Sequence, residues 1–437
     1  MFWLLALVVL GSCSQEPYTE TEDHTAYLHR SADQLTDVIV HDIFSPPVAS
    51  RIYAYASVAG YETAIRQDST YISLSGRLNA LTPVPEAPAA GTWSPTLATV
   101  HAFLTTGKAL IFSEIQISDF QDTLYPEIKS ALHMPQQVYE HSIAYGQQVS
   151  DHILAWAAGD HYKETRTFPK YTITDDPAKW QPTPPAYIEG IEPNWSRIRP
   201  FVLDSATQFR PAPPTAFSRD AGSPFYREAM EVRDAADSVH ADFPMRIEIA
   251  QFWDCNPYVS HQHGHVMFAT KKITPGGHWM GIAGQACRQQ KLNLAASARV
   301  YAYTAVALAD GFISCWDEKY RSNLVRPETY INAYIDPDWR PVLQTPPFPE
   351  YTSGHSVISS AAGEMLTALL GDNIAFTDSV ELEYGLPVRH FTSFREAYHE
   401  AAVSRLYGGI HYRPAIDDGV KQGQQLGAFI VRKLVSE

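Results

Sequence analysis

Apolar residues recur at helical spacing through most of this chain and strand-like alternation is scarce, which restricts it to an all-α architecture. Between Ser50 and Arg66, the residues Ile52, Ala56, Ala59 and Thr63 fall on one side of a helix. The stretches Pro95 to Phe112 and Val138 to Ala158 repeat the pattern, with Pro95 where a first-turn proline is tolerated. Further helices are expected at Pro224 to His240, Gln285 to Glu318, Ser353 to Leu370, Phe394 to Tyr407 and about Pro414 to Leu434. Ser393 and Glu396 form a capping box for the penultimate one. Residues 159–215 break the pattern with a Pro-rich stretch bearing Trp and Tyr. An irregular segment of that length in a compact protein is usually functional or wraps another lobe. No hairpin signal or internal repeat stands out.

The 437 residues suffice for a substantial core. A net charge of −15 argues against nucleic acid as a partner. Any anion site must then be a local concentration of Arg and Lys. Phe2 to Leu10 is apolar but too short to span a bilayer. It leads into Leu10-Gly11-Ser12-Cys13, which resembles the lipobox of bacterial lipoproteins and implies cleavage before Cys13 and its acylation. The expected organisation is a signal peptide over 1–12 and a tether with N-terminal segment over 13–48. A helical half follows over 49–283, then a second half over 284–437 that carries the site. The expected location is periplasmic or on the cell surface of a Gram-negative bacterium, with membrane contact only through the lipid. Cys255, Cys287 and Cys315 show no pairing or C-x-x-C pattern and are expected to be small buried residues.

Three segments of the last third place basic residues where a helical core would exclude them. Lys319 ends a long apolar helix, and Arg326 follows after six residues, ahead of Pro327. Ser353-Gly354-His355 opens another helix, offering a hydroxyl, free backbone N–H groups and the favourable end of the dipole to an anion. Ser404-Arg405 closes a third helix, and Gly408-Gly409 turns the chain to present His411. Singly, each has an ordinary structural reading as a solvated pair, a cap or a hydrogen-bonded His. Together, two guanidinium forks, one ammonium, a helix start and two imidazoles form a cradle for a tetrahedral oxyanion.

The order and spacing of these blocks closely resemble the signature shared by vanadium-dependent haloperoxidases and type-2 phosphatidic acid phosphatases. The resemblance implies a helical bundle of that type with long irregular loops. It implies that His411 binds vanadium, or acts as nucleophile in a phosphatase. Lys319, Arg326 and Arg405 would neutralise the oxygens, Ser353 and the Gly354 N–H would donate to them, and His355 would be the acid/base. Thr352 replaces the usual proline. The family's Asp four residues after the second His is absent, since position 415 is Ala; Asp417, Asp418 or a backbone carbonyl would orient the His411 ring instead.

The pocket serves vanadate and phosphate alike, phosphate being the expected competitor. In the peroxidase reading, hydrogen peroxide replaces an oxygen of His411-bound vanadate, and the resulting peroxovanadate converts halide (iodide and/or bromide) to a hypohalous-acid equivalent. An organic acceptor could follow. In the phosphatase reading, a phosphohistidine forms at His411. The 318 residues before Lys319 favour the peroxidase, because soluble phosphatases with this signature are little more than the bundle. Trp316 and Phe348 flank the motifs and could exclude water, though ordinary core packing explains them nearly as well. His261, His263 and His265 share one face of an extended segment and could meet a separate metal; a place near the pocket mouth is the preferred reading. The third reading is a non-catalytic lipoprotein that captures oxyanions or glycans, with Trp180 to Trp195 as a carbohydrate platform. His355 speaks against it, since a pure binder needs no titratable group there.

Overall fold

The computed structural model describes residues 17–237, 241–257, 259–263, 266–269 and 271–435, with 260–263 and 266–269 described in backbone only. In chain order the helices are α1 (Ala26–His41), α2 (Pro46–Ala64), α3 (Pro95–Lys108), α4 (Glu114–Ala131), α5 (Gln136–Ala158), the short α6 (Tyr162–Thr165), α7 (Pro224–Ala235) and α8 (Phe243–Phe252). The antiparallel strands β1 (Ser260–His263) and β2 (Val266–Ala269) follow, then α9 (Pro275–Gln289), α10 (Leu294–Ser322), α11 (Pro327–Tyr334) and α12 (Gly354–Leu370). A second small hairpin pairs β3 (Phe376–Asp378) with β4 (Arg389–Phe391), before α13 (Phe394–Tyr407) and α14 (Arg413–Leu434). The fold is all-α, and both hairpins went unseen in the sequence because each strand has only three or four residues.

Helix α10 is the axis. It is rich in Ala and buried on nearly all sides, as is every residue of α2, so both lie inside the core rather than over it. Around α10 pack α2, α9, α12 and α14. One hydrophobic cluster runs from Tyr27 to Leu434 and ignores the expected division into halves. The expected boundary at 283/284 falls inside α9. The continuous helix expected over Gln285 to Glu318 is broken, because Lys291 adopts φ 52° and the Asn293 side chain caps α10 by accepting from the Ala296 N–H at 2.9 Å. The stretch 13–48, expected to hold a tether and an N-terminal segment, contains α1, whose Leu28, Leu35, Val38 and Ile39 are core.

Residues 159–215 wrap α10 and its C-terminal turn. The buried carboxylate of Asp310 accepts from the backbone N–H groups of Phe201, Val202 and Leu203 at 2.6, 2.8 and 3.0 Å. Further along, the Trp316 indole and the Tyr320 hydroxyl both donate to the Ile191 carbonyl. Trp180 and Trp195 are 0% and 1% exposed, so the carbohydrate-platform expectation is corrected: these rings are core.

Helix α14 lies unusually close to α12 because Gly419, Gly423 and Gly427 form a stripe at four-residue spacing. A Cβ on Gly423 would stand 2.2 Å from the Val357 carbonyl oxygen, and one on Gly427 would stand 3.2 Å from the Ala361 backbone. That approach brings the start of α14 against the start of α12: the Ser353 N–H donates to the Ala415 carbonyl at 2.9 Å. The two motif ends are thereby joined.

Candidate active site

Ser353 caps α12, its hydroxyl accepting from the Ser356 N–H at 3.3 Å, and Gly354 and His355 form the first turn. Gly354, His355, Arg405 and His411 line one cavity together with Trp316, Phe348, Phe312, Pro346, Ile410 and Cys255. Residues far apart in sequence thus meet around a single space. The Trp316 and Phe348 rings contact each other at 5.0 Å on its wall.

His411 is held from behind. Its Nδ1 lies 2.8 Å from Oε1 of Glu350, and the same oxygen accepts from the Tyr412 N–H at 2.9 Å. An oxygen receiving one N–H is set to receive the second, so Nδ1 carries the proton and Nε2 keeps its lone pair. Arg326 Nη1 stands 3.2 Å from that Nε2. Burial, then Arg326, Lys319 and Arg405, hold the His411 pKa well below its ordinary value. Glu350 is wholly buried, and burial pushes its carboxyl up to about 8 against the pull of Arg326 and Lys319.

Arg326 is buried and donates through Nε to the Phe348 carbonyl at 2.8 Å and through Nη1 to the Ile410 carbonyl at 2.9 Å. Among the described residues its Nη2 has no partner, and neither has Nε2 of His355. Buried donors without partners are rare and call for a ligand or water. Arg405 fixes its guanidinium on the Trp253 and Ala250 carbonyls at 2.7 and 3.2 Å and on the Ser404 hydroxyl at 2.9 Å. Lys319 directs its ammonium at the carbonyls of Pro349, Glu350 and Thr352, at 3.1, 3.1 and 2.5 Å. Burial brings its pKa down to about 7. Burial and then Arg405 hold His355 well below its ordinary value, partly offset by a hydrogen bond with the Trp253 backbone. These groups can balance the charge of a tetrahedral oxyanion, and the two orphaned nitrogens provide hydrogen-bonding capacity for it.

The expectation that Asp417 or Asp418 orients His411 is corrected. Asp417 is exposed, and Asp418 binds the Tyr351 hydroxyl at 3.1 Å and Lys421 at 2.9 Å. Glu350, three residues before Ser353, takes the role; a carboxylate just ahead of the motif block was the available signal. His261 and His263 lie on β1, whereas His265 and Cys13 lie outside the described residues.

Residues 299–436 match the family model of the vanadium chloroperoxidase (VCPO) second helical-bundle domain. Over 95% of this chain and 98% of the other, the structure is similar to that of a bacterial vanadium-dependent iodoperoxidase, with 52% identity and a TM-score of 0.89. A bacterial vanadium-dependent chloroperoxidase shares the fold at 15% identity and a TM-score of 0.70, over 94% of this chain and 97% of that one. The vanadium chloroperoxidase of Curvularia inaequalis is 28% identical across 28% of this chain, and the match spans 29% of that protein's length.

Proposed function

Since this chain belongs to the vanadium-dependent haloperoxidases, we propose that it oxidises halide with hydrogen peroxide, giving a hypohalous-acid equivalent, at vanadate held on His411. The observation that carries this reading is that His411, its Nδ1 held by Glu350 and its Nε2 beside Arg326, lines the same cavity as Arg405 and His355. Vanadate bound there supplies an electrophilic centre that activates peroxide without a change of oxidation state. Glu350 fixes the ring so that the lone pair is available. Arg326 and Arg405 offset the anion's charge from rigid positions, their other N–H groups being committed to backbone carbonyls.

All three ammonium protons of Lys319 are used on carbonyls, so Lys319 contributes its positive field unless it gives up one of them. The Ser353 hydroxyl and the Gly354 N–H stand at the positive end of the α12 dipole and donate to the anion. His355, which burial and then Arg405 hold well below its ordinary pKa, takes a proton from the incoming peroxide and returns it when product leaves. Trp316, Phe348 and Phe312 keep bulk water from the oxidant.

Iodide is the favoured halide, an assignment supported by the iodoperoxidase at 52% identity. Inorganic phosphate competes with vanadate. The lipobox-like Leu10 to Cys13 supports acylation of Cys13 and a periplasmic or cell-surface location, and no helix among the described residues is long and apolar enough to cross a membrane. The test is peroxide-dependent oxidation of iodide, bromide and chloride by apoprotein with and without orthovanadate, beside hydrolysis of a chromogenic phosphate ester. Ester hydrolysis without vanadate-dependent halide oxidation would overturn the assignment in favour of a phosphatase.

A further inference from the structure

Behind the wall that carries Cys255, a second cluster of chemically active side chains is buried, and the halide-oxidising chemistry has no use for it. Cys255 follows α8, His278 lies in the first turn of α9, and Glu381 sits in the turn at Val380–Tyr384. All three are buried. The Cys255 sulfur is 3.4 Å from His278 Nδ1 and 3.6 Å from Oε1 of Glu381, and that oxygen is 3.0 Å from the same Nδ1. Without an ion, the Cys255 thiol and His278 Nδ1 both meet the same Glu381 oxygen, which can accept from each.

The other ring nitrogen is held by a second carboxylate. His278 Nε2 lies 2.8 Å from Oδ2 of Asp378, whose Oδ1 accepts from the Val380 N–H at 3.0 Å. As the groups stand, Asp378 and Cys255 outweigh burial and hold the His278 pKa well above its ordinary value. With a metal bound, the carboxylate on the far nitrogen would keep the proton there and leave the Nδ1 lone pair to the ion, the arrangement that orients histidines on metals. Two of the three separations, 3.4 and 3.6 Å, are those of ligands on one ion, and the 3.0 Å between Nδ1 and Oε1 would have to open by about 0.3 Å. Bonds of about 2.3 Å to sulfur and about 2.0–2.2 Å to nitrogen or oxygen put tetrahedral ligands roughly 3.3–3.6 Å apart. Thiolate, imidazole and carboxylate together suit zinc rather than calcium or magnesium.

We propose that Cys255, His278 and Glu381 form a zinc site, with Asp378 as the positioning carboxylate and the fourth position left to solvent. Binding releases the Cys255 thiol proton to bulk water and forms Zn–S, Zn–N and Zn–O bonds with no redox change. The ion ties the segment after α8 to α9 and to the turn at 380–384. That segment includes Trp253, whose carbonyl holds Arg405 and whose ring stacks on His278 with centroids 4.7 Å apart. The ion would thereby brace one wall of the oxyanion cavity from outside.

The test is the metal content of the full chain purified without chelator or vanadate, by plasma mass spectrometry, with zinc-edge X-ray absorption on the same sample. About one zinc per chain is expected, with one sulfur neighbour at about 2.3 Å and the remainder nitrogen or oxygen. Cobalt exchanged into the site should show a thiolate-to-cobalt absorption that is lost in Cys255→Ser. Glu381→Gln, which keeps the shape of the side chain, should bind zinc at least 10-fold more weakly. Wild-type protein that stays free of zinc and takes up no cobalt after supplementation would overturn the proposal, leaving an imidazolium between two carboxylates. Zinc with no sulfur neighbour, or zinc retained in full by Cys255→Ser, would overturn it as well.

Discussion

Glu350 and His411 lie 61 positions apart in the chain and meet with Oε1 2.8 Å from Nδ1. The contact joins the segment before α12 to the turn before α14, and it leaves Nε2 as the only ring nitrogen available to a ligand. Glu350→Gln should therefore weaken vanadate binding about 10- to 100-fold while the folded state persists, the range seen when the partner of a metal-bound His is lost. Asp417→Asn should leave vanadate affinity unchanged. Both are read from halide oxidation as apoprotein is titrated with vanadate; equal losses in the two variants would refute the role of Glu350.

His355 and His411 share the cavity but not the task. His355→Ala should lower kcat by about 100-fold or more, the usual worth of a placed acid/base, with a smaller effect on vanadate affinity. His411→Ala should remove vanadate binding and turnover together. Vanadate titrations and saturation kinetics on the same preparations separate the two, and comparable loss of affinity in both variants would contradict the division.

The glycine stripe of α14 sets how closely the motif ends approach. In Gly423→Ala the new methyl cannot fit 2.2 Å from the Val357 carbonyl oxygen, so α14 must move outward from α12. The expected cost is about 1–3 kcal/mol of stability, read as a lower midpoint in urea. Vanadate affinity should fall as well, because Ala415 and Ser353 separate.

Acid sensitivity has an identifiable contributor in His101. Burial holds its pKa at about 4, and its ring bonds the Tyr125 hydroxyl at 2.9 Å. In the unfolded chain the same imidazole takes its proton near pH 6.5, so below that value the unfolded state binds more protons than the folded one. The stability contribution is full above pH 6.5 and is lost as pH falls toward 4, by up to about 3 kcal/mol. His101→Gln should be less stable at pH 7.5 and show a shallower decline between pH 6.5 and 4.5. Parallel profiles of unfolding midpoint against pH would exclude this origin.

The primary sequence by itself determined the all-α class, the extents of α5, α12, α13 and α14 to within two residues, and the motif residues Gly354, His355, Arg405 and His411 that line one cavity. Helical periodicity, caps and the order of basic residues are local properties, and they survive in one dimension. Tertiary structure decided the rest. The pairing of Glu350 with His411, the closure of α14 on α12, the burial of Trp180 and Trp195 and the meeting of Cys255 with His278 and Glu381 depend on which surfaces face each other. A break such as Lys291 to Asn293 depends on one capping side chain outweighing the helical tendency on either side. Those outcomes are sums over contacts between distant segments, so no stretch of the chain contains them.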